Sequence, residues 1–332
     1  MLLDIGIFAH DEAGGIAGVL NELRRQEYAG HGLRILVLAN GCRDRTVAIA
    51  QGAAFEGVEV LDLPQGGKSR TWNRFVHDLS RPAADVLVFM DADIRLPDQG
   101  GIARLADALA GRPGLHAVNS QPVKDLDFDR KPGSFGEKLI AAGGGGLDDW
   151  RSSICGQLYA MPAPCARRFH LPVGLPVEDG FLRAMVLTDA LTKDEDFSRI
   201  DGADTFHVYE SERTVAGVVR HQTRIVIGSA INAAVFAELR DRPPPARMPA
   251  LASAAADGGW LGDVLARRLP KWPFGWVPFH FLTKRLARAL RDPRGLLHPR
   301  RAVMLAVGTG FDLVVWIVAQ GKLARGKGVG YW

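Results

Sequence analysis

Disulfide chemistry is nearly closed to this chain. It holds only three cysteines, Cys42, Cys155 and Cys165, among 332 residues, and no CxxC pair. So sparse and odd a count argues against a disulfide framework and fits a reducing compartment. A charge excess of one sign is equally scarce. The 41 basic residues nearly balance the 37 acidic ones, and the net +4 is too small to point to nucleic acid as a partner. The start of the chain lacks the basic-then-apolar order of a secretory signal, and Met1 to Ile7 reads as a first strand. No internal repeat is present. What remains is a globular composition, 47% apolar and 23% charged, with length for one large domain or two ordinary ones.

The apolar runs alternate with helical periodicity over residues 1–120. Ile5–Ala9, Arg34–Ala39, Val58–Leu63 and Asp85–Met90 read as strands, Arg34–Ala39 and Val86–Met90 as buried ones. Ile16, Val19, Leu20 and Leu23 share one helix face within Ile16–Gln26. Thr46–Ala53 starts a second helix, and Gly66–Ser80 is a glycine-led loop running into a third. This rhythm predicts an α/β fold with a Rossmann-like, mostly parallel sheet flanked by helices. Ligands of such sheets bind beyond the carboxyl ends of the strands. Chemistry therefore belongs in the loops Ala9-His-Asp-Glu12, Asn40-Gly-Cys-Arg-Asp-Arg-Thr46, Gly66-Gly-Lys-Ser69 and Asp91-Ala-Asp93.

The remainder is less regular. Leu126–Pro132 is charged and reads as a surface loop, and Gly143–Gly146 is a candidate lid hinge. Val208–Val235 reads as largely helical. The break at Asp241-Arg-Pro-Pro-Pro-Ala leads into an Ala/Ser/Gly-rich stretch expected to be a linker. Basic residues concentrate after residue 265, interleaved with Trp and Phe through Arg285, a mixture suited to a membrane interface. Ala302–Ala319 is almost wholly apolar apart from Asp312, near the lower length limit for a spanning helix. We expect membrane contact through residues 260–320, with 302–319 membrane-seated or re-entrant. The alternative is a buried C-terminal helix packed on the domain.

The most informative stretch is Asp85-Val-Leu-Val-Phe-Met-Asp-Ala-Asp-Ile94. Its buried strand runs into Asp91 and Asp93, which alternation aims at one point on either side of Ala92. Two convergent carboxylates at a strand's carboxyl end suit a hard divalent cation, which can hold a diphosphate and neutralise its charge as it leaves. A helix cap plus a solvated turn acid is the plain alternative.

In order and spacing these loops resemble the family-2 inverting glycosyltransferases, over about residues 4–235. The resemblance implies the GT-A fold, with residues 1–120 as the nucleotide-sugar-binding half and 121–240 as the acceptor and base half of one domain. Residues 241–332 are then a linker and a basic, aromatic and apolar C-terminal segment. Ala9-His-Asp-Glu12 is similar to the family's Pro-x-x-Asn-Glu. Ala9 and Asp11 are departures from it, and Glu12 is implied near the nucleoside, where a carboxylate accepts from ribose hydroxyls. Asn40 to Thr46 resembles Asp-Gly-Ser-x-Asp-x-Thr, with Asn40 and Cys42 as departures. It implies that Asn40 and Asp44 lie in the nucleotide site, the alternative for Asp44 being a helix cap. Gly66-Gly-Lys68 through Asn73 resembles Lys-Gly-x-x-x-x-Asn and implies that Lys68 and Asn73 serve the diphosphate. The glycine spacing is not that of a P-loop.

By the same resemblance, Asp91, Ala92 and Asp93 hold Mg2+ or Mn2+ and the diphosphate, Asp93 being the better direct ligand. His207 is a candidate third ligand, with an ordinary strand histidine as the alternative. Ser153–Ala160 resembles the small-residue strand below the sugar, where Gly156 permits close approach. Glu178-Asp179 resembles the family's acid pair before a helix, with Asp179 as general base and Glu178 in support; first-turn capping acids are the alternative. Arg220-His-Gln-Thr-Arg224 partly resembles Gln-x-x-Arg-Trp and places Arg224 near the leaving diphosphate. Its missing Trp argues against a processive synthase.

The implied activity is sugar transfer from a nucleotide-diphosphate sugar, UDP favoured, to an acceptor hydroxyl that is lipid-linked or membrane-held. The implied location is the cytoplasmic side of the membrane of a bacterial cell envelope, peripheral or C-terminally anchored, with a soluble cytoplasmic enzyme as the alternative. A nucleotidyltransferase of related fold is disfavoured, because the loop after the first strand has no Arg or Lys through Gly15. A non-catalytic sugar-binding or scaffold protein is the other alternative.

Overall fold

The computed structural model describes residues 1–129, 149–269, 277–290 and 299–325. The expected glycine hinge at 143–146 lies outside the described residues, as do the end of the 126–132 loop and part of the basic aromatic stretch. Four strands, β1 (Leu2–Ala9), β2 (Gly32–Asn40), β3 (Val58–Leu63) and β4 (Val86–Asp91), pair in parallel as β3-β2-β1-β4. Register aligns Ala9 with Ala39 and Phe8 with Asp91, so the three central strands end at one edge. Helices α1 (Ile16–Arg24), α2 (Thr46–Ala53) and α3 (Lys68–Asn73) connect them, and α3 continues through a π-helical turn over Arg74–Leu79.

Beyond β4 the sheet departs from the simple parallel pattern. Strand β5 (Ile94–Arg95) and helix α4 (Gly101–Ala110) lead to β6 (Ala117–Lys124), helix α5 (Asp125–Phe128) and β7 (Leu158–Pro162). Helices α6 (Ala163–Ala166) and α7 (Glu178–Leu187) precede β8 (Ile200–Tyr209). Strand β7 runs antiparallel to both β4 and β6, which completes the order β4-β7-β6-β8-β5. The sheet is therefore mixed, because the chain re-enters it from the opposite direction after β6.

Residues on the two faces of each strand feed two cores. Leu3, Ile5 and Ile7 of β1 pack with Ile16, Val19 and Leu20 of α1 on one side. Phe8, Trp72, Phe75, Phe89 and Tyr159 lie on the other. There Trp72 stacks on Phe89 at 5.5 Å and Phe89 on Tyr159 at 4.6 Å, while Trp72 Nε1 donates to the Tyr159 hydroxyl at 2.9 Å. Gly6 lies where an added Cβ would meet the Phe75 ring at 3.0 Å.

Three expectations change in the second half. Val208 and Tyr209 end β8, and the helical region begins only at α8 (Val215–Arg240), capped by Thr214 Oγ1 accepting from Gly217 N–H. The expected linker is instead helix α9 (Pro244–Ala256), started by proline at its first turn and held by buried Leu251 and Ala254. Alanine-rich composition favours helix once one face has a core to cover. Helices α10 (Trp260–Arg268), α11 (His280–Leu290) and α12 (Pro299–Ala324) follow, so the apolar run is longer than 302–319. Little of α12 is covered. Val315, Ala319 and Leu323 are buried, while Val303, Val307, Val314 and Ile317 are exposed. That exposure contradicts a fully buried helix.

Asn73 ties α3 to the second half, donating through Nδ2 to Leu171 O at 2.7 Å and accepting from Leu171 N–H at 2.9 Å. The Asn73→Ala variant strands both backbone groups of the fully buried Leu171. It should lose about 2–4 kcal/mol of stability, readable as a lowered urea midpoint with an unchanged slope.

Candidate active site

The aligned ends of β1, β2 and β4 place Ala9, Asn40 and Asp91 together, and side chains lock the loops that follow. Asn40 is fully buried. Its Nδ2 donates to Ala9 O at 2.9 Å and its Oδ1 accepts from Gly67 N–H at 3.2 Å. Both ends of the amide are thus used inside the protein, and Asn40 braces the loops after β1 and β3 rather than offering itself to a base. The turn needs glycine at 41, where φ is +61° and an added Cβ would meet Gly66 backbone at 2.9 Å. Asp11, itself at φ +54°, accepts from Arg43 N–H through Oδ1 at 2.7 Å. Asp44 accepts from Thr46 N–H at 2.9 Å and Ala13 N–H at 3.0 Å, so it braces its own turn and cross-links it to the loop after β1. Glu12 N–H donates to Thr46 Oγ1 at 2.7 Å.

These loops crowd acids together. Asp11, Cys42 and Asp44 bring candidate ligand atoms within 4.8 Å of one another. Burial, followed by the neighbouring charges of Asp93 and Asp44, pushes the Glu12 carboxyl up to about 7.

Deeper in, Lys68 opens α3 and reaches across the sheet end. Its Nζ lies 2.6 Å from Asp91 Oδ1 and 2.8 Å from Oδ2, donates to Gly156 O at 3.1 Å and sits 3.3 Å from Glu178 Oε1. Burial alone would depress this ammonium, but Asp91, Glu178 and Asp179 outweigh it and hold Lys68 above its usual range. Asp91, with burial outweighing the attraction of Lys68, is pushed up to about 7. Burial and the adjacent Glu178 raise Asp179 to about 6, against Lys68 and Arg224. Asp179 Oδ1 accepts from Gly180 N–H at 2.7 Å.

The other expected residues divide. Gly156 lies in a turn before β7 rather than in a strand, and an added Cβ there would come within 3.1 Å of Asp179 Oδ2. Ala92 is buried and donates its N–H to Phe8 O, while Asp93 beside it is exposed and faces Glu12. Arg224 is exposed on α8 and close enough to act on Asp179. Asn73, as above, is consumed by Leu171. His207 is fully buried, with Nδ1 on Ser120 Oγ at 3.0 Å and Nε2 on Gln157 Oε1 at 3.1 Å, and burial depresses it to about 3. Both ring nitrogens are therefore engaged, as in an ordinary buried histidine. Sequence reasoning missed Gln157, whose carbonyl accepts from Asp91 N–H at 2.9 Å, and Asn119, whose amide holds Ser153 O and Cys155 N–H. Neither carries a local signal, since each acts across strands.

Residues 4–155 match the model of glycosyl transferase family 2. This segment is a family-2 glycosyltransferase domain. A search of curated proteins gave no match. Among solved structures, this chain superposes on a mannosyltransferase from Pyrobaculum calidifontis in complex with GDP-Man and Mn2+. That superposition covers 96% of this chain and 86% of that one, with 20% identity and a TM-score of 0.52. A glucosyl-3-phosphoglycerate synthase from Mycobacterium tuberculosis, in complex with Mn2+, UDP-Glc and phosphoglyceric acid, is 17% identical over 69% of this chain and 79% of that one, at 0.48. A mannosyl-3-phosphoglycerate synthase from Rubrobacter xylanophilus is 15% identical over 69% and 73%, at 0.46. The first likeness is one of fold, and that fold is GT-A.

The acid cluster of this glycosyltransferase domain predicts a pH effect. Glu12 releases its proton near 4.5 when unfolded but near 7 when folded. Between those values the folded state binds more protons, so its stability falls as pH rises through the window. Without divalent metal, the urea midpoint should drop between pH 5 and pH 7.5, and Glu12→Gln should flatten that drop.

Proposed function

We propose that the chain is an inverting, metal-dependent glycosyltransferase that moves a sugar from a nucleotide-diphosphate sugar to an acceptor hydroxyl. The observation that carries this reading is the buried bridge from Asp91 through Lys68 to Glu178 and Asp179. It joins the nucleotide-side strand end to the acceptor-side acid pair. Asp179, at about 6, is ionised at neutral pH yet near enough to it to serve as a general base. It takes the proton of the acceptor hydroxyl as that oxygen forms the new bond to the anomeric carbon. The bond from that carbon to the diphosphate oxygen breaks, and the electron pair leaves with the diphosphate. Glu178 holds Lys68 beside the acid pair, and exposed Arg224 offers a second cation to the leaving group.

The residues fit a divalent cation, Mg2+ or Mn2+. Asp11, Asp44 and Asp93 crowd Glu12 with negative charge, while the nearby Lys68 is already taken by Asp91 and Glu178. Asp93 would be the direct ligand and Asp91 its neighbour; His207 would join only on releasing Gln157. A bound cation supplies charge stabilisation to the diphosphate. UDP is the favoured nucleotide, with Glu12 and Asp44 beside it. In a thermal-shift comparison of UDP, GDP, dTDP and CDP sugars with and without Mn2+, one nucleotide should raise Tm only with metal, and Asp93→Ala should erase that shift. Asp179→Asn should keep the shift and lower transfer about 10²–10⁴-fold. Absence of any shift would sink the reading.

The second element of the proposal is membrane contact through α11 and α12, at the cytoplasmic face of a cell envelope, with a membrane-held acceptor. Residues 301–324 are long and apolar enough to cross a bilayer, with only 11% of the most apolar stretch buried. Asp312, the lone acid of that run, is paired by Arg285 of α11 at 2.7 and 3.1 Å, so it is not an isolated charge near lipid. Val307→Glu with Val314→Glu should abolish co-flotation with vesicles containing anionic lipid, while nucleotide-induced stabilisation stays unchanged.

A further inference from the structure

The acid pair opens helix α7, and that helix has no side-chain cap of its own. Its first backbone bond is long, with Phe181 N–H donating to Val177 O at 3.4 Å. Something else must fix the peptide that precedes Glu178. A line along α8 does so. Arg224, Gly228 and Asn232 follow at intervals of four and share one face. At Gly228 an added Cβ would fall 2.2 Å from Val177 Cγ2 and 3.3 Å from Val177 N, so glycine lets the two segments touch. One turn on, Asn232, 5% exposed, donates through Nδ2 to Val177 O at 2.9 Å across 55 residues of chain. Its Oδ1 has no partner among the described residues, and the reversed amide would set oxygen against the Val177 carbonyl. The shorter, stronger bond to Val177 O is thus the one from α8, not the one from within α7.

We propose that Asn232 is a positioning residue for the acid pair: by holding the Val177 carbonyl and clamping Val177 against Gly228 it fixes the peptide that precedes Glu178 and sets where Glu178 and Asp179 point. This rests on the proposed function, since it assigns work to a pair read as the base and its support. Geometric precision at that pair matters because small misplacements of catalytic groups cost large factors in rate.

The test compares wild type with Asn232→Ala and with Asn232→Leu, which keeps the volume but lacks the donor. Amide hydrogen exchange of the peptide spanning 177–187 should accelerate at least tenfold in both, with 46–53 unchanged. Nucleotide release from UDP-glucose or GDP-mannose with Mn2+ should fall about tenfold in kcat, with KM for the donor within twofold. Unchanged exchange in either folded variant overturns the clamp. Faster exchange with unchanged kcat makes Asn232 merely structural and overturns the positioning role. If Asp179→Asn releases nucleotide at the wild-type rate, or wild type releases none, the functional reading itself falls, whatever the exchange result.

Discussion

Lys68 is the residue on which the two halves of this domain meet. A single ammonium sits among Asp91, the adjacent Glu178 and Asp179, and the Gly156 carbonyl, which come from three different segments. Such a charge cannot be left alone in the interior, and neither can the acids around it. Breaking a buried pair by removing one partner costs about 3–5 kcal/mol because the other is stranded. The cluster therefore constrains where β4 ends, where α3 begins and where α7 starts. Nearer the surface, Glu12 is raised by its burial first and by the neighbouring charges of Asp93 and Asp44 second.

Around that node the protein uses amides as well as the carboxylates of Asp11 and Asp44 to hold its loops. Asn40, Asn73, Asn119 and Asn232 each bond the backbone of a segment distant in sequence. An amide can donate and accept at once without the desolvation cost of an ion, so it can satisfy a buried loop where no strand neighbour is available. The aromatic stack of Trp72, Phe89 and Tyr159 lies in the same core and supplies a rigid support for α3. Helix α8 is shared by both ends of the molecule. One face meets Val177 ahead of the acid pair, and Gln222 and Val226 line a small cavity with Phe281, Phe311 and Trp316 of the apolar C-terminal helices.

Much of the first half was legible from periodicity. The helix Thr46–Ala53 and the strand Val58–Leu63 fall where the pattern puts them: Thr46 and Ala50 of the helix are buried, and the edge strand packs Val58 and Val60 against one core and Leu61 and Leu63 against the other. The second half was less so. Val208 and Tyr209 have β-favouring side chains beside a strongly helical stretch, and pairing with β6 decides them. The Ala-rich region after Pro243 looked like a linker because alanine carries little burial signal, yet Leu251 and Ala254 find a core.

The sequence by itself determined the α/β rhythm, the loops that end the strands of the first half with Glu12, Lys68, Asp91 and Asp93, and the acid pair that opens a later helix. Those depend on side-chain periodicity and turn chemistry, which are local. Only the tertiary structure decided which polar groups remain free for a ligand. Asn40 and Asn73 resemble ligand-binding residues in sequence but are spent on Ala9, Gly67 and Leu171, and His207 is spent on Ser120 and Gln157. Hydrogen-bond satisfaction depends on partners as much as 98 residues away, and spacing along the chain carries no record of them.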